Sequence, residues 1–102
     1  MNDNQALVKR FILENNLDTT IELRLLDLVS ELGELSKEII TGSNYGKTDF
    51  TKTSETINEL GDVFFSLIEV ANKLDINLDD ALKSVLCKYT QRITESGILS
   101  SK

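Results

Sequence analysis

Apolar residues recur along this chain at intervals of three and four and do not alternate in period two, which predicts helices and no strands. Leu7, Val8, Phe11 and Ile12 form the apolar side of a first helix over about 3–14, ended by the polar run NNLDTT, which also offers caps for the next. A second helix over about 20–41 carries Leu25, Leu28, Leu32, Leu35 and Ile39 as a three-four seam. The run GSNYGKTDFTKTS is polar with two glycines and reads as a loop, with Thr53 or Ser54 as the cap that follows it. Ile57, Leu60, Val63, Phe64, Leu67 and Ala71 make the apolar side of a third helix over about 54–74. Asn77 caps a fourth, which runs through Leu78, Leu82, Val85, Leu86, Tyr89 and Ile93 to about Thr94. Four helices without strands predict an all-α, four-helix bundle-like fold in a single domain over 1–102, with a core over about 20–94 and a tail, 95–102, that frays.

The two central helices share a feature that helix propensity disfavours. SELGELSKE, from Ser30 to Glu38, is followed 28 residues later by NELGDVFFS, from Asn58 to Ser66. Each places a glycine and two carboxylates mid-helix. A glycine there costs about 1 kcal/mol relative to alanine, and like charges at neighbouring helical positions repel by a few tenths. At 100° per residue, Asp27, Glu31, Glu34 and Glu38 lie within about 60° of one another beside the leucine seam. Glu55, Glu59, Asp62 and Glu69, with Ser66 among them, repeat the arrangement on the third helix, and Gly33 and Gly61 match in position. An antiparallel hairpin of these helices brings both acidic edges toward one cleft. The matched glycines suggest close approach of a backbone or a ligand.

Composition narrows what such a cleft binds. Lys and Arg number 11 against 17 Asp and Glu, a net charge of −6, which argues against general nucleic-acid binding because phosphate neutralisation dominates it. The N-terminal MNDNQALVKR carries no apolar run behind positive charge, and no stretch approaches the roughly 20 apolar residues that span a bilayer. With one cysteine, Cys87, no disulfide forms within the chain, and without histidine the Cys–His pairing of a reactive thiol is missing. Cys87 therefore reads as structural, and the protein as soluble and cytoplasmic.

A solvated acidic face is the simplest account of one such stripe. Solvated faces, however, usually interleave lysine with glutamate, and here both stripes are uniformly acidic. Converging carboxylates repel unless a cation sits among them, and oxygen-only ligands favour Mg²⁺ first and Mn²⁺ second. Zinc and a ferritin-like di-iron centre are disfavoured by the absence of histidine. Mg²⁺ leaves positions open for water and substrate phosphates, so the pattern points to phosphate-ester or anhydride chemistry.

Glu31-x-x-Glu34, a gap of 24 residues and then Glu59-x-x-Asp62 resembles the signature of the MazG-like all-α NTP pyrophosphohydrolases. LVSELGELSKEI, ELGDVFFSLIEVANKLDI and NLDDALKSVLCKYTQRI are similar to that family's successive helices, from about Leu23 to Ile93. The resemblance implies a helical dimer or dimer of dimers that hydrolyses nucleoside triphosphates to monophosphate and pyrophosphate, as in house-cleaning of the nucleotide pool. Carried over by position, Glu31, Glu34, Glu59 and Asp62 are the Mg²⁺ ligands and catalytic carboxylates. The metal would bridge phosphate oxygens and lower the pKa of an attacking water, and one carboxylate would take its proton. Lys88 and Arg92, one turn apart, match a Lys-x-x-x-Arg pattern at the end of the family's domain, and Asn72 resembles an asparagine near the nucleotide; all three would contact substrate. Ser30 departs from the pattern, since many members carry tandem glutamates there. The alternatives are a non-catalytic helical homodimerisation or adaptor module, or a degenerate member that binds nucleotides without turnover.

Overall fold

The computed structural model describes residues 1–96 and consists there of four helices. They are α1 (Asp3–Glu14), α2 (Ile21–Gly42), α3 (Ser54–Lys73) and α4 (Leu78–Ser96). All four lie where the hydrophobic spacing predicts them, and α4 runs two residues past the expected Thr94. The rest of the expected frayed tail falls outside the described residues.

Local chemistry sets the boundaries. The side chain of Asn2 caps α1 by accepting from the Gln5 N–H, and Gln5 returns the bond in a capping box. Thr20 caps α2, Thr53 caps α3 with Thr56 as its reciprocal partner, and the Asn77 side chain accepts from the Asp80 N–H at the start of α4. In the α2–α3 loop, Asn44, Tyr45 and Gly46 have φ of 50°, 58° and 85°, and the Gly46 N–H donates to Ser43 Oγ. Gly42 is needed there for a packing reason, because a Cβ on it would lie 2.6 Å from the Phe50 ring. At Gly33 and Gly61 the close approach expected from the sequence is not made by the chain itself. Among the described residues, no other part of the chain comes within 4 Å of where a Cβ on either would lie.

α2 packs along α3, and α1 packs on α3 as well. Val8 and Ile12 meet Ile68 in the buried core, flanked by Phe65 and Leu78, and Phe11 meets Phe65 edge-to-face at 6.1 Å. Gln5, 1% exposed, ties three elements together. Its Nε2 donates to Asn72 Oδ1 (3.0 Å) and the Ile76 carbonyl (2.7 Å), its Oε1 accepts from the Leu78 N–H (2.8 Å), and Asn72 Nδ2 donates to its backbone carbonyl (3.1 Å).

The half-buried stripe of α2 is Ile21, Arg24, Leu28, Glu31, Leu35 and Glu38, and the covered positions of α3 include Glu59, Val63, Ser66 and Glu69. Part of each predicted apolar seam therefore faces outward. Leu25, Leu32 and Ile39 on α2 and Ile57, Leu60, Phe64 and Leu67 on α3 are exposed in the single chain. Cys87 is exposed too, so the buried packing role read from the sequence is not filled within this chain. Beyond its anchored start, α4 makes no extensive packing with the other helices. The radius of gyration is 16.7 Å, where a compact chain of this length has about 13 Å.

Candidate metal centre

Alternation of leucine and acid along α2, matched on α3, turns the paired motifs toward each other across the hairpin. Glu31, from the first motif, and Glu59 and Asp62, from the second, each present a carboxylate oxygen, and these oxygens lie within 4.8 Å of one another. Glu31 and Glu59 are half-buried and Asp62 is exposed, so the cluster opens to solvent on one side. The Glu59 carboxyl is raised from its ordinary value by burial first, and then by the charges of Glu34, Glu55, Asp62 and Glu31.

Glu34 is exposed and stands outside the tight trio, yet among the neighbouring carboxylates it acts most strongly on Glu59. Crowded carboxylates with water on one side form a donor set of hard oxygens, which suits Mg²⁺ or Mn²⁺ and offers neither nitrogen nor sulfur to softer ions. The residues present thus fit a hard divalent cation.

The three residues expected to contact substrate lie elsewhere. Lys88 and Arg92 sit on α4, each over the Tyr89 ring at 5.2 and 5.7 Å from its centroid. Because α4 does not pack along α2 or α3, the single chain does not bring their faces to the acidic cluster. Asn72 is ten residues beyond Asp62, about 15 Å along the helix axis, with its side-chain amide engaged by Gln5 at both ends.

Further along the groove is a pair that spacing arguments centred on the acidic motifs pass over. Arg24 is seven residues before Glu31, and Glu69 is seven after Asp62. The Arg24 guanidinium reaches Glu69 Oε2 at 3.1 Å and Asp27 at 3.7 Å, and donates to the Leu17 carbonyl. Glu69 is 5% exposed, its Oε1 has no hydrogen-bond partner, and burial raises its carboxyl above the ordinary range, partly offset by Arg24. The pair borders a cleft of about 220 Å³, also lined by Lys9, Asp18, Asn72 and Lys73. Lys73 and Asp18 form an ion pair at 2.6 Å, which holds the Asp18 carboxyl below its ordinary value. The sequence signal for the pair was an arginine at heptad spacing from the first motif, facing the end of the second stripe.

Comparison with known proteins bears on the same segment. The MazG nucleotide pyrophosphohydrolase domain matches residues 19–95, which contain both acidic motifs. The Bacillus subtilis (strain 168) protein YpjD is 37% identical over 98 residues, covering 90% of this chain and 85% of YpjD. The crystal structure of Bacillus subtilis YpjD superposes with a TM-score of 0.73 at 35% identity, covering 90% of this chain and 94% of that one. That of the Bacillus-conserved MazG protein, a nucleotide pyrophosphohydrolase, gives 0.70 at 31%, with 85% of each chain covered.

Proposed function

Because this chain belongs to the MazG nucleotide pyrophosphohydrolase family, we propose that it hydrolyses nucleoside triphosphates to monophosphate and pyrophosphate with Mg²⁺, which Mn²⁺ can replace. The observation that carries this reading is the convergence of Glu31, Glu59 and Asp62 from two separate motifs onto one point of the α2/α3 groove. Repulsion among these groups is a cost to folding, and it is relieved when a cation is held there. In this reading Glu31, Glu59 and Asp62 hold the ion, and Glu34 closes the set from the solvent side.

A bound divalent ion supplies positive charge to the phosphate oxygens and makes a neighbouring water more acidic. The chain's own groups do the rest. In this reading Glu34 gives one oxygen to that set and keeps the other to take the proton of the attacking water. The half-buried Glu31 and Glu59 set two of the ion's carboxylates against the hairpin before substrate arrives.

The triphosphate also needs cationic side chains, and Arg24 is already engaged by Glu69 and Asp27. In our reading the enzyme is a homodimer or a dimer of dimers, in which α4 of one copy packs on the outward seams of another. Lys88 and Arg92 would then reach the phosphates across the interface. The exposed leucines of α2 and α3, the open space at Gly33 and Gly61, and the scant packing of α4 all support this arrangement.

A screen of common and modified nucleoside triphosphates with Mg²⁺, reading pyrophosphate against inorganic phosphate, tests the proposal. Release of pyrophosphate with the monophosphate is expected from at least one substrate. Release of phosphate alone, or no turnover of any, overturns it.

A further inference from the structure

The cleft at the far end of the α2/α3 groove has the properties of a reading site rather than of a packing defect. Its wall holds Glu69, a carboxylate almost wholly removed from water, with one oxygen ion-paired to Arg24 at 3.1 Å and the other without a partner. A buried acceptor without a donor costs free energy, so an unmet oxygen beside a cavity marks a place where a donor belongs. The guanidinium next to it has five N–H groups in a planar fork, not all of them used by Glu69, Asp27 and Leu17. Arg24 and Glu69 both line a cleft of about 220 Å³, so a donor and a covered acceptor share its wall. That volume is below the range of pockets that enclose whole drug-sized ligands, and suits one ring system.

The position in the groove says which ring. Arg24 and Glu69 repeat the Glu31–Asp62 cross-pair seven residues further along both helices, which is about 10 Å along the axis and on the same face. Ser66, with a small side chain, is the α3 residue of that face between Asp62 and Glu69. A nucleotide whose phosphates meet the acidic cluster extends over this distance to its base.

We propose that the Arg24–Glu69 pair reads the edge of the substrate's base, and that it favours a base bearing an exocyclic amino group over the keto base of the same ring. The inference rests on the nucleotide-hydrolase reading given above. An amino group donates to Glu69 Oε1, as carboxylates accept from the N4 amino group of cytosine, while Arg24 donates to the neighbouring ring acceptor. A keto oxygen at the amino position faces a carboxylate oxygen instead and leaves it unmet. Glu69 and Arg24 act on base choice; neither touches the bond that breaks.

The test uses pairs of substrates that differ only in this group, dCTP against dUTP and dATP against dITP, with Mg²⁺ and wild-type protein. The amino member of at least one pair is expected to have a kcat/KM about tenfold or more higher, the size of one hydrogen bond to a charged group. Glu69→Gln, whose amide presents either an N–H or an oxygen, should bring that ratio near unity. The ratio is taken within one preparation, so partial unfolding of a variant does not affect it. The Arg24→Gln/Glu69→Gln pair, which removes both charges together, guards against a lone buried arginine. Equilibrium binding of dCMP, dUMP, dAMP and dIMP in EDTA provides a readout independent of turnover and should show the same order. If triphosphates are hydrolysed and the ratio is unity in wild type, or is unchanged in both variants, the base-reading role is wrong while the hydrolase stands. If no triphosphate is hydrolysed, the hydrolase reading falls. The monophosphate order then decides the base-reading role alone, and equal binding of amino and keto members overturns it.

Discussion

The outward apolar seams lead to a prediction whose size follows from the surface. A compact monomer of 11.4 kDa exposes about 5,800 Å², while this chain exposes 7681 Å², so roughly 1,900 Å² is in excess. A standard interface covers about 800 Å² per partner, and obligate homodimers cover more. The chain is therefore expected to be an obligate oligomer. Phe64, on the outward seam of α3 and 47% exposed, is a suitable place to break it. Fully burying a phenylalanine is worth about 1.5–3 kcal/mol, so covering its exposed half is worth about 0.75–1.5. A two-fold interface counts each substitution twice, so Phe64→Glu forfeits about 1.5–3 kcal/mol before any cost of burying the new charge. That is a rise of roughly 10- to 200-fold in the dimer dissociation constant, as a lower bound. Sedimentation velocity over a concentration series measures it. A wild-type chain that sediments as a folded monomer at micromolar concentration would refute the reasoning, and so would a Phe64→Glu variant that associates as tightly as the parent.

Three further outcomes follow from particular contacts. Replacing Gln5 with leucine strands Asn72 Oδ1, the Ile76 carbonyl and the Leu78 N–H, and should cost about 2–4 kcal/mol in urea unfolding at fixed protein concentration; a change under about 0.5 kcal/mol would show that water replaces the clamp. Mg²⁺ at a hundredfold excess over its Kd should stabilise the fold by about 2.7 kcal/mol, which for a domain of this size raises Tm by on the order of 10 °C relative to EDTA. Coincident melts would count against a shared ion site. Glu59 and Glu69 both carry carboxyls raised above the ordinary 4.5, so their protonated forms are favoured by folding. Their contribution is fully present below about pH 4.5 and is lost as pH rises through the raised values, so in EDTA stability should fall across that window. Glu59→Gln should flatten part of the fall, and an unchanged slope would contradict the crowding of charge at Glu59.

Most of the helical architecture was legible in the sequence because it rests on local rules. Apolar spacing fixed four helices, and the caps offered by NNLDTT, by Thr53 and by Asn77 marked where three of them start, with Thr20 the cap used in the first of these. The convergence of Glu31, Glu59 and Asp62 was legible for the same reason, since two matched stripes on an antiparallel hairpin share one edge. What helical phase does not determine is which of two adjoining faces turns inward. Leu25, Leu32, Phe64 and Leu67 looked like core, and they face outward because α2 and α3 meet along the mixed stripe of Leu28, Glu31 and Leu35. The glycines turn on the same point, because a close approach is a tertiary event: Gly42 has one, with Phe50, while at Gly33 and Gly61 no backbone of the described chain supplies it. Gln5 drew no notice as a single polar residue and Glu69 was read only as one member of the acidic stripe, since burial gives each its meaning and a one-dimensional pattern carries no burial.

Pyrophosphate release from an accepted nucleoside triphosphate by wild type and by Asp62→Asn, each with Mg²⁺ and with EDTA, tests the metal-site account most directly. Asp62→Asn keeps the side-chain shape and removes one unit of charge from the cluster, so the ion and the phosphates it neutralises are both held less well. Wild type is expected to release pyrophosphate with Mg²⁺ and to stop in EDTA, while Asp62→Asn stops in both with its helical circular dichroism intact. Glu38→Gln, on the same acidic stripe of α2 but outside the paired motifs, should keep most of the activity. Parental turnover by Asp62→Asn would contradict the account and return the two stripes to solvated helix faces.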